Sequence, residues 1–198
     1  SRRFEMDAPV FHEGALPDRF FLLLDGTIRV VKTTPDGEQV TMIHIPAGQL
    51  FGIAKAMSQA TYPATAVAAS EVLTLSWPAV LWETYVSEYP GFATETYKTV
   101  GERMGELNNR IIEMSTQHVE QRIARALLRL INQSGRKVEQ GIEINFPITR
   151  KDVSEMTGTT LQTVSRLLSS WEKHGLVVSE RKKIIVCDPH GLTVLCEA

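Results

Sequence analysis

The sequence predicts an α+β chain: an N-terminal antiparallel β-roll, a long helix, and a C-terminal helix-turn-helix followed by a basic hairpin. Three observations predict it. Short runs rich in Leu, Ile, Val, Thr and Phe, separated by glycine-containing turns, fill residues 1–76. A heptad stripe runs from Ala93 to Met114. Two short helical patterns joined at Gly158 then precede a hairpin carrying Glu180, Arg181, Lys182 and Lys183.

Composition bounds the function. Hydrophobic residues make up 43% and charged residues 22% of the 198, which supports a packed core and excludes global disorder. Residues 1–114 carry 9 Lys and Arg against 14 Asp and Glu, whereas residues 115–198 carry 12 against 9. An acidic part joined to a basic part suits contact between the basic part and a polyanion. Cys187 and Cys196 are the two cysteines. They exclude a disulfide scaffold and a four-cysteine zinc or iron–sulfur site. No apolar run approaches the ~18 residues of a membrane span, and the N-terminus is polar rather than signal-like. A cytoplasmic protein without a membrane partner is expected.

The roll is expected to hold strands at residues 20–25, 27–33, 39–45 and 71–76. Asp25-Gly26 and Asp36-Gly37 supply the positive φ of tight hairpin turns, and Ala47-Gly48 and Tyr62-Pro63 mark further turns. Residues 51–58 lack alternation and suggest a short helix. Ser76 can cap a helix with Pro78 in its first turn. Leu81, Tyr85 and Tyr89 follow at helical spacing until Pro90-Gly91.

In the long helix, Ala93, Tyr97, Val100, Met104, Leu107, Ile111 and Met114 are separated by 4, 3, 4, 3, 4 and 3 residues. A narrow a/d seam of this kind suits a second helix, which makes a homodimer the expected assembly. Packing of that stripe on the chain's own roll is the alternative. Ser115-Thr116 can cap the next helix. Its apolar face is Val119, Ile123, Ala126, Leu127, Leu130 and Ile131, and Arg122, Arg125 and Arg129 read as a solvated face. Residues 136–141 form a polar loop before a strand at 142–146. The expected domains are therefore residues 1–89, the dimerisation helix 90–114, and 115–198.

From Ile148 onward Thr149 caps a short helix bearing Val153 and Met156, and Gly158 marks a tight turn. Thr159 and Gln162 fit a capping box opening a second helix. Its apolar stripe is Val164, Leu167, Leu168 and Trp171, with Gly175 past its end. Gln162, Arg166, Ser169 and Lys173 share the opposite face. Arg, Gln and Ser are the side chains that read base edges in the major groove, and a basic hairpin beside such a helix suits phosphate.

The run ITRKDVSEMTGTTLQTVSRLLSSWEKHGLV resembles the helix-turn-helix of the CRP/FNR family of bacterial transcription regulators. VFHEGALPDRFFLLLDGTIRVVKTTPDGEQV and PAGQLFG resemble that family's cyclic-nucleotide-binding-type β-roll, and VEQRIARALLRL the helix that opens its DNA domain. Members usually carry a further helix before the roll, so Ser1 need not be the natural first residue. The resemblance implies a winged helix-turn-helix, a homodimer with a parallel helix seam, and an inverted-repeat operator bound through residues 160–173. It also implies contact with RNA polymerase through the loop at 135–141. By position, Arg166 would read a base, and Gln162 stands where the family usually has glutamate. Arg150, Thr160 and Thr163 would lie near phosphate, together with Ser169, Arg181, Lys182 and Lys183. Leu161 stands where some members place a second base-reading arginine.

The same resemblance frames the effector. Cyclic AMP binders carry a glutamate after the Phe-Gly turn and an Arg-Ser pair. Here Ile53 and Tyr62-Pro63 occupy those places, and Lys55 is the basic residue of the stretch. A buried phosphate needs charge-assisted donors, so cyclic AMP is not expected. No cysteine set for an oxygen-sensing iron–sulfur cluster exists. TYPATA resembles a segment of nitric-oxide-responsive denitrification regulators, which keeps haem open. Residues 45–117 contain no His or Cys as axial ligand. Of the remaining histidines in the roll, His12 and His44, alternation with Ile43 and Ile45 turns His44 to solvent. The expected pocket comprises Phe51, Ile53, Lys55, Met57, Tyr62 and Thr65; its effector is left unknown. Two other classes compete with a regulator. A metal-dependent cupin enzyme needs clustered histidines, but residues 12, 44, 118, 174 and 190 are scattered. A scaffold dimer leaves Arg166 and the basic hairpin without a use.

Overall fold

The computed structural model describes residues 1–197. The chain forms two compact units, residues 1–109 and 110–198, and the division falls inside the long helix rather than at either end of it.

The first unit contains β1 (Arg2–Phe4), β2 (Pro9–Phe11), β3 (Arg19–Asp25), β4 (Thr27–Thr33), β5 (Gln39–Pro46), β6 (Leu50–Phe51), β7 (Thr65–Ala68) and β8 (Val72–Pro78). They build two four-stranded antiparallel sheets, ordered β1-β8-β3-β6 and β2-β7-β4-β5. This is the roll, with the chain repeatedly switching between sheets. The switching corrects one of the two expected Asp-Gly hairpins. Asp36-Gly37 does join a paired hairpin, β4 to β5, closed at Thr33 opposite Gln39. Asp25-Gly26 and Ala47-Gly48 instead carry the chain from one sheet to the other. Gly26 is required there: its φ is +84°, and a Cβ would meet the Glu71 carbonyl oxygen at 2.4 Å. Phe21, Leu23, Ile28, Ile43, Ile45, Phe51 and Val72 fill the space between the sheets.

Residues 54–57 form a short 3-10 turn, as the loss of alternation suggested. Ser76 caps nothing. It lies in β8, which runs on to Pro78, and its hydroxyl accepts from Arg19 at 3.0 Å. The helix begins later, as α1 (Trp82–Glu88), after a 3-10 turn at Ala79–Leu81. Trp82 packs edge-on against Phe20 in a second cluster with Ile53, Tyr85, Phe92 and Val100.

Helix α2 (Pro90–Thr116) starts at Pro90, where a missing N–H costs nothing. It divides the expected seam. Val100 and Leu107 pack against the two clusters of the roll, and Ala93 is half-buried. Tyr97, Met104, Ile111 and Met114 are exposed. The reason is periodicity: a stripe read at 3.5 residues per turn contains two neighbouring faces of a helix that turns every 3.6 residues.

The second unit holds α3 (Val119–Ser134), β9 (Gly135–Val138), β10 (Gly141–Ile144), α4 (Arg150–Thr157), α5 (Leu161–Lys173), β11 (Val177–Glu180), β12 (Lys183–Val186) and α6 (Pro189–Glu197). Its sheet runs β11-β12-β10-β9. The polar loop expected at 136–141 is thus half strand, pairing Gly135 through Val138 with β10. Ser115 and Thr116 do not cap α3. They end α2, with their hydroxyls bonded back to Ile111 and Ile112, and the α3 entry is held by Gln121 accepting from the His118 N–H at 2.9 Å. The buried face of α3 is Ile123, Ala124, Ala126, Leu127, Leu130 and Ile131.

Candidate nucleic-acid interface and ligand cavity

Helix α4 opens on a reciprocal cap. Thr149 Oγ1 accepts from the Asp152 N–H at 3.1 Å, while the Asp152 carboxylate accepts from the Thr149 N–H at 2.7 Å. Thr149→Ala is expected to destabilise the second unit by ~1 kcal/mol, read as a lower thermal midpoint; an unchanged midpoint would mean that Asp152 alone holds the turn. Gly158 ends α4 in the left-handed region at φ 61°. The cap of α5 is Thr160 rather than Thr159: its hydroxyl accepts from the Thr163 N–H at 3.2 Å. Val164, Leu167, Leu168 and Trp171 are buried, and Trp171 Nε1 donates to Glu120 of α3 at 3.1 Å. One face of α5 is thereby clamped and the other presented.

The presented face holds Gln162, Arg166 and Lys173, all exposed, with Leu161 44% exposed at the first helical position. Ser169 is half-buried, because Arg150 covers it. Arg150 donates from Nε to Ser179 Oγ at 3.1 Å and from Nη1 to Ser169 Oγ at 3.4 Å, and its Nη2 lies 3.5 Å from Glu172. Glu172 also accepts from the Ser179 N–H at 2.8 Å. This network ties α4, α5 and β11 together. Arg150 and Ser169, expected near phosphate, are thus engaged within the protein.

Beside this helix, β11 and β12 pair through Glu180 opposite Lys183. Arg181 and Lys182 form the exposed tip, with Lys182 at φ 60°. Lys183 is half-buried, 3.8 Å from Glu143. The arginines of α3 are structural rather than solvated. Arg122 donates to Thr157 and Gln117, Arg125 to Cys196, and Arg129 to both oxygens of Glu113 at 2.6 and 2.8 Å.

The roll and α2 line a half-open cavity of about 290 Å³. Phe51, Ile53, Met57 and Tyr62 line it. Lys55 is exposed elsewhere on its 3-10 turn, and Thr65 is not in the lining; its hydroxyl accepts from the Glu13 N–H. Tyr62 stacks on Phe11 at 3.8 Å, and its hydroxyl bonds the Arg19 carbonyl oxygen, so it contributes a ring wall. Burial holds its phenol above the usual pKa. His44 is buried rather than solvent-facing, yet it does not line the cavity. The register around it is regular, with Ile43, His44 and Ile45 opposite Val30, Arg29 and Ile28, so His44 does point away from its two neighbours and is buried because that face of β5 is covered as well.

The cyclic nucleotide-binding domain model matches residues 1–89, and the Crp-like helix-turn-helix domain model matches residues 121–195. The CRP-like cAMP-activated global transcriptional regulator of Mycobacterium tuberculosis is 20% identical over 183 residues, 92% of this chain and 82% of that protein. Electron transport regulator A of Shewanella oneidensis is 26% identical over 187 residues, 94% and 74% of the two. The chain belongs to the CRP/FNR family of transcription regulators. A CRP-family transcriptional regulator from Thermus thermophilus shares the fold, with a TM-score of 0.85 at 21% identity over 100% of this chain and 97% of the other. In this CRP/FNR regulator, sequence reasoning missed Lys32, Met42, Arg103, Met104 and Leu107 as cavity residues. A signal for Arg103 existed. Val100, Arg103 and Leu107 stand at i, i+3 and i+7, so the arginine shares the face that packs on the roll.

Proposed function

We propose that this CRP/FNR regulator acts as a cytoplasmic homodimer that binds an inverted-repeat operator through α5 and is controlled by a ligand in the roll cavity. The observation that carries it is the exposed Gln162–Arg166 pair, one turn apart on a helix whose other face is buried. Arg166 reads guanine O6 and N7 with its two-donor fork, and Gln162 reads the neighbouring base. Leu161 offers an apolar contact suited to a thymine methyl. Arg181 and Lys182, with Thr160 and Thr163, meet phosphate. Lys183 adds charge to the tip from behind, and Arg150 and Ser169 position the reading helix. RNA polymerase is the expected second partner, reached through the β9–β10 hairpin.

The dimer face is the exposed side of α2: Tyr97, Gly101, Met104, Asn108 and Ile111, separated by 4, 3, 4 and 3 residues. A Cβ on Gly101 or Gly105 would meet nothing, which leaves room for a second helix. No helix among the described residues is long and apolar enough to cross a membrane.

Cyclic AMP activation, named for the Mycobacterium tuberculosis relative, is not carried over. The cavity has no second cation free for its phosphate, since Lys32 is 3.2 Å from Glu13. Haem does not fit either. The cavity lining includes no His or Cys, and about 290 Å³ is roughly two benzene-sized volumes against the four pyrroles of a macrocycle.

Selection of bound duplexes from a randomised library tests the reading. The expected result is an inverted repeat with half-site centres ~34 Å, one DNA turn, apart. Enrichment of a single unpaired half-site, or none, would overturn it.

A further inference from the structure

Val100, Arg103 and Leu107 of α2 line the cavity described above, whereas Phe92, Glu95, Thr99 and Glu102 line a second, half-open groove of about 460 Å³ that shares no residue with it. The wall of this groove follows from strand register. Phe20 of β3 pairs with Trp77 of β8, so the two rings stand on one face of the sheet, 5.5 Å apart. Tyr85 of α1 and Phe92 of α2 pack onto Phe20 from above, at 5.9 and 6.0 Å. Trp77 and Tyr85 meet at 6.1 Å with their planes inclined by 58°, and Tyr85 and Phe92 at 5.5 Å and 60°, which makes the wall concave. Phe20 is fully buried, but Trp77, Tyr85 and Phe92 are half-buried and keep surface open to the groove. Glu95 and Glu102 stand exposed at its rim, two turns or ~10.5 Å apart along α2. We propose that this groove binds a small organic monocation, a methylated ammonium, against Trp77, Tyr85 and Phe92, with Glu102 as its counter-charge. The proposal depends neither on the operator nor on the ligand of the other cavity.

Ring electrostatics, charge and size select that ligand. An aromatic face is the negative side of its quadrupole and attracts a cation within about 6 Å of the ring centre, most strongly for Trp and then Tyr. A methylated ammonium also lays its methyl groups on the rings, whereas a primary ammonium or a metal ion would have to shed tightly held water there. In the lining, Glu95 and Glu102 face a single lysine, Lys98, which lies 4.0 Å from Glu95. Glu102 forms no hydrogen bond or salt bridge among the described residues. It attracts Arg103 electrostatically, but that guanidinium donates to the Leu50 carbonyl oxygen and to Gln49 Oε1 instead. The lining therefore carries one more negative than positive charge, which a monocation balances. A zwitterion such as a phosphocholine headgroup fits worse, because its phosphate would sit beside two carboxylates. The volume leaves room for a ring on the cation: ~150 Å³ holds one benzene, and the groove offers about 460 Å³.

Calorimetry on the full chain with choline and benzyltrimethylammonium, set against 3,3-dimethyl-1-butanol and phosphocholine, tests it. The butanol has the shape of choline with carbon in place of the charged nitrogen. Both cations are expected to bind about tenfold tighter than the butanol and phosphocholine. Trp77→Leu, which keeps an apolar side chain and removes the π face, should weaken the cations about tenfold. Trp77 also packs on Phe20, so Glu102→Gln, at an exposed position, supplies a variant that spares the core. It should weaken both cations about threefold and flatten the salt dependence of their binding. Butanol binding as tight as choline would reduce the groove to an apolar slot and overturn the proposal. Phosphocholine binding as tight as choline, no binding of either cation at millimolar concentration, or cation affinity unchanged in Glu102→Gln would overturn it as well.

Discussion

Ile111→Lys is expected to turn the dimer into a monomer. Ile111 is 63% exposed on the single chain, in line with Tyr97 and Met104 at heptad spacing, and in the proposed dimer a two-fold axis along α2 would place it against its own copy. Removing one buried isoleucine costs ~1.5–3 kcal/mol. The dimer loses two, so about 3–6 kcal/mol before any cost of facing like charges. That raises the dissociation constant by about two to four orders of magnitude. Sedimentation at micromolar concentration reads it directly. Leu107→Lys, four residues earlier, is the informative contrast. Leu107 packs on the core between the sheets, so its substitution should lower the melting temperature of the roll instead of splitting the dimer. If Ile111→Lys sediments as a dimer, the seam lies on another face.

Arg166→Ala is expected to cost ~1–3 kcal/mol per half-site and to relax the choice at one base pair. A dimer engages two half-sites, so specific affinity falls by about 2–6 kcal/mol. Gln162→Glu should move the neighbouring preference towards cytosine, because a carboxylate can only accept, as from cytosine N4, whereas the amide suits adenine N6 and N7. Lys182→Ala behaves differently. A phosphate contact carries no sequence information, so binding weakens on all sequences alike and its salt dependence flattens. Identical selected half-sites for wild type and Gln162→Glu would remove Gln162 from the readers.

Much of this was legible without coordinates. The helix-turn-helix was readable because each signal is local: Thr149 capping its own turn, Gly158 in the left-handed region, and the 3.6-residue stripe from Val164 to Trp171. The acidic and basic parts, the β-rich run and the exposed Gln162–Arg166 face follow from composition and short-range spacing as well. Only the tertiary structure decided how the roll crosses between its sheets, because Asp-Gly specifies a turn but not the strand that follows it. It also decided that Val100 and Leu107 turn inward while Met104 and Ile111 turn outward, since a 3.5-residue pattern cannot say which neighbour buries which flank. Arg150 and the α3 arginines found partners up to 71 residues away in sequence, and Lys55 lost its place in the cavity to Arg103. Charge alone does not tell a phosphate contact from an internal hydrogen bond; that depends on which distant carbonyls and carboxylates the fold brings within about 3 Å.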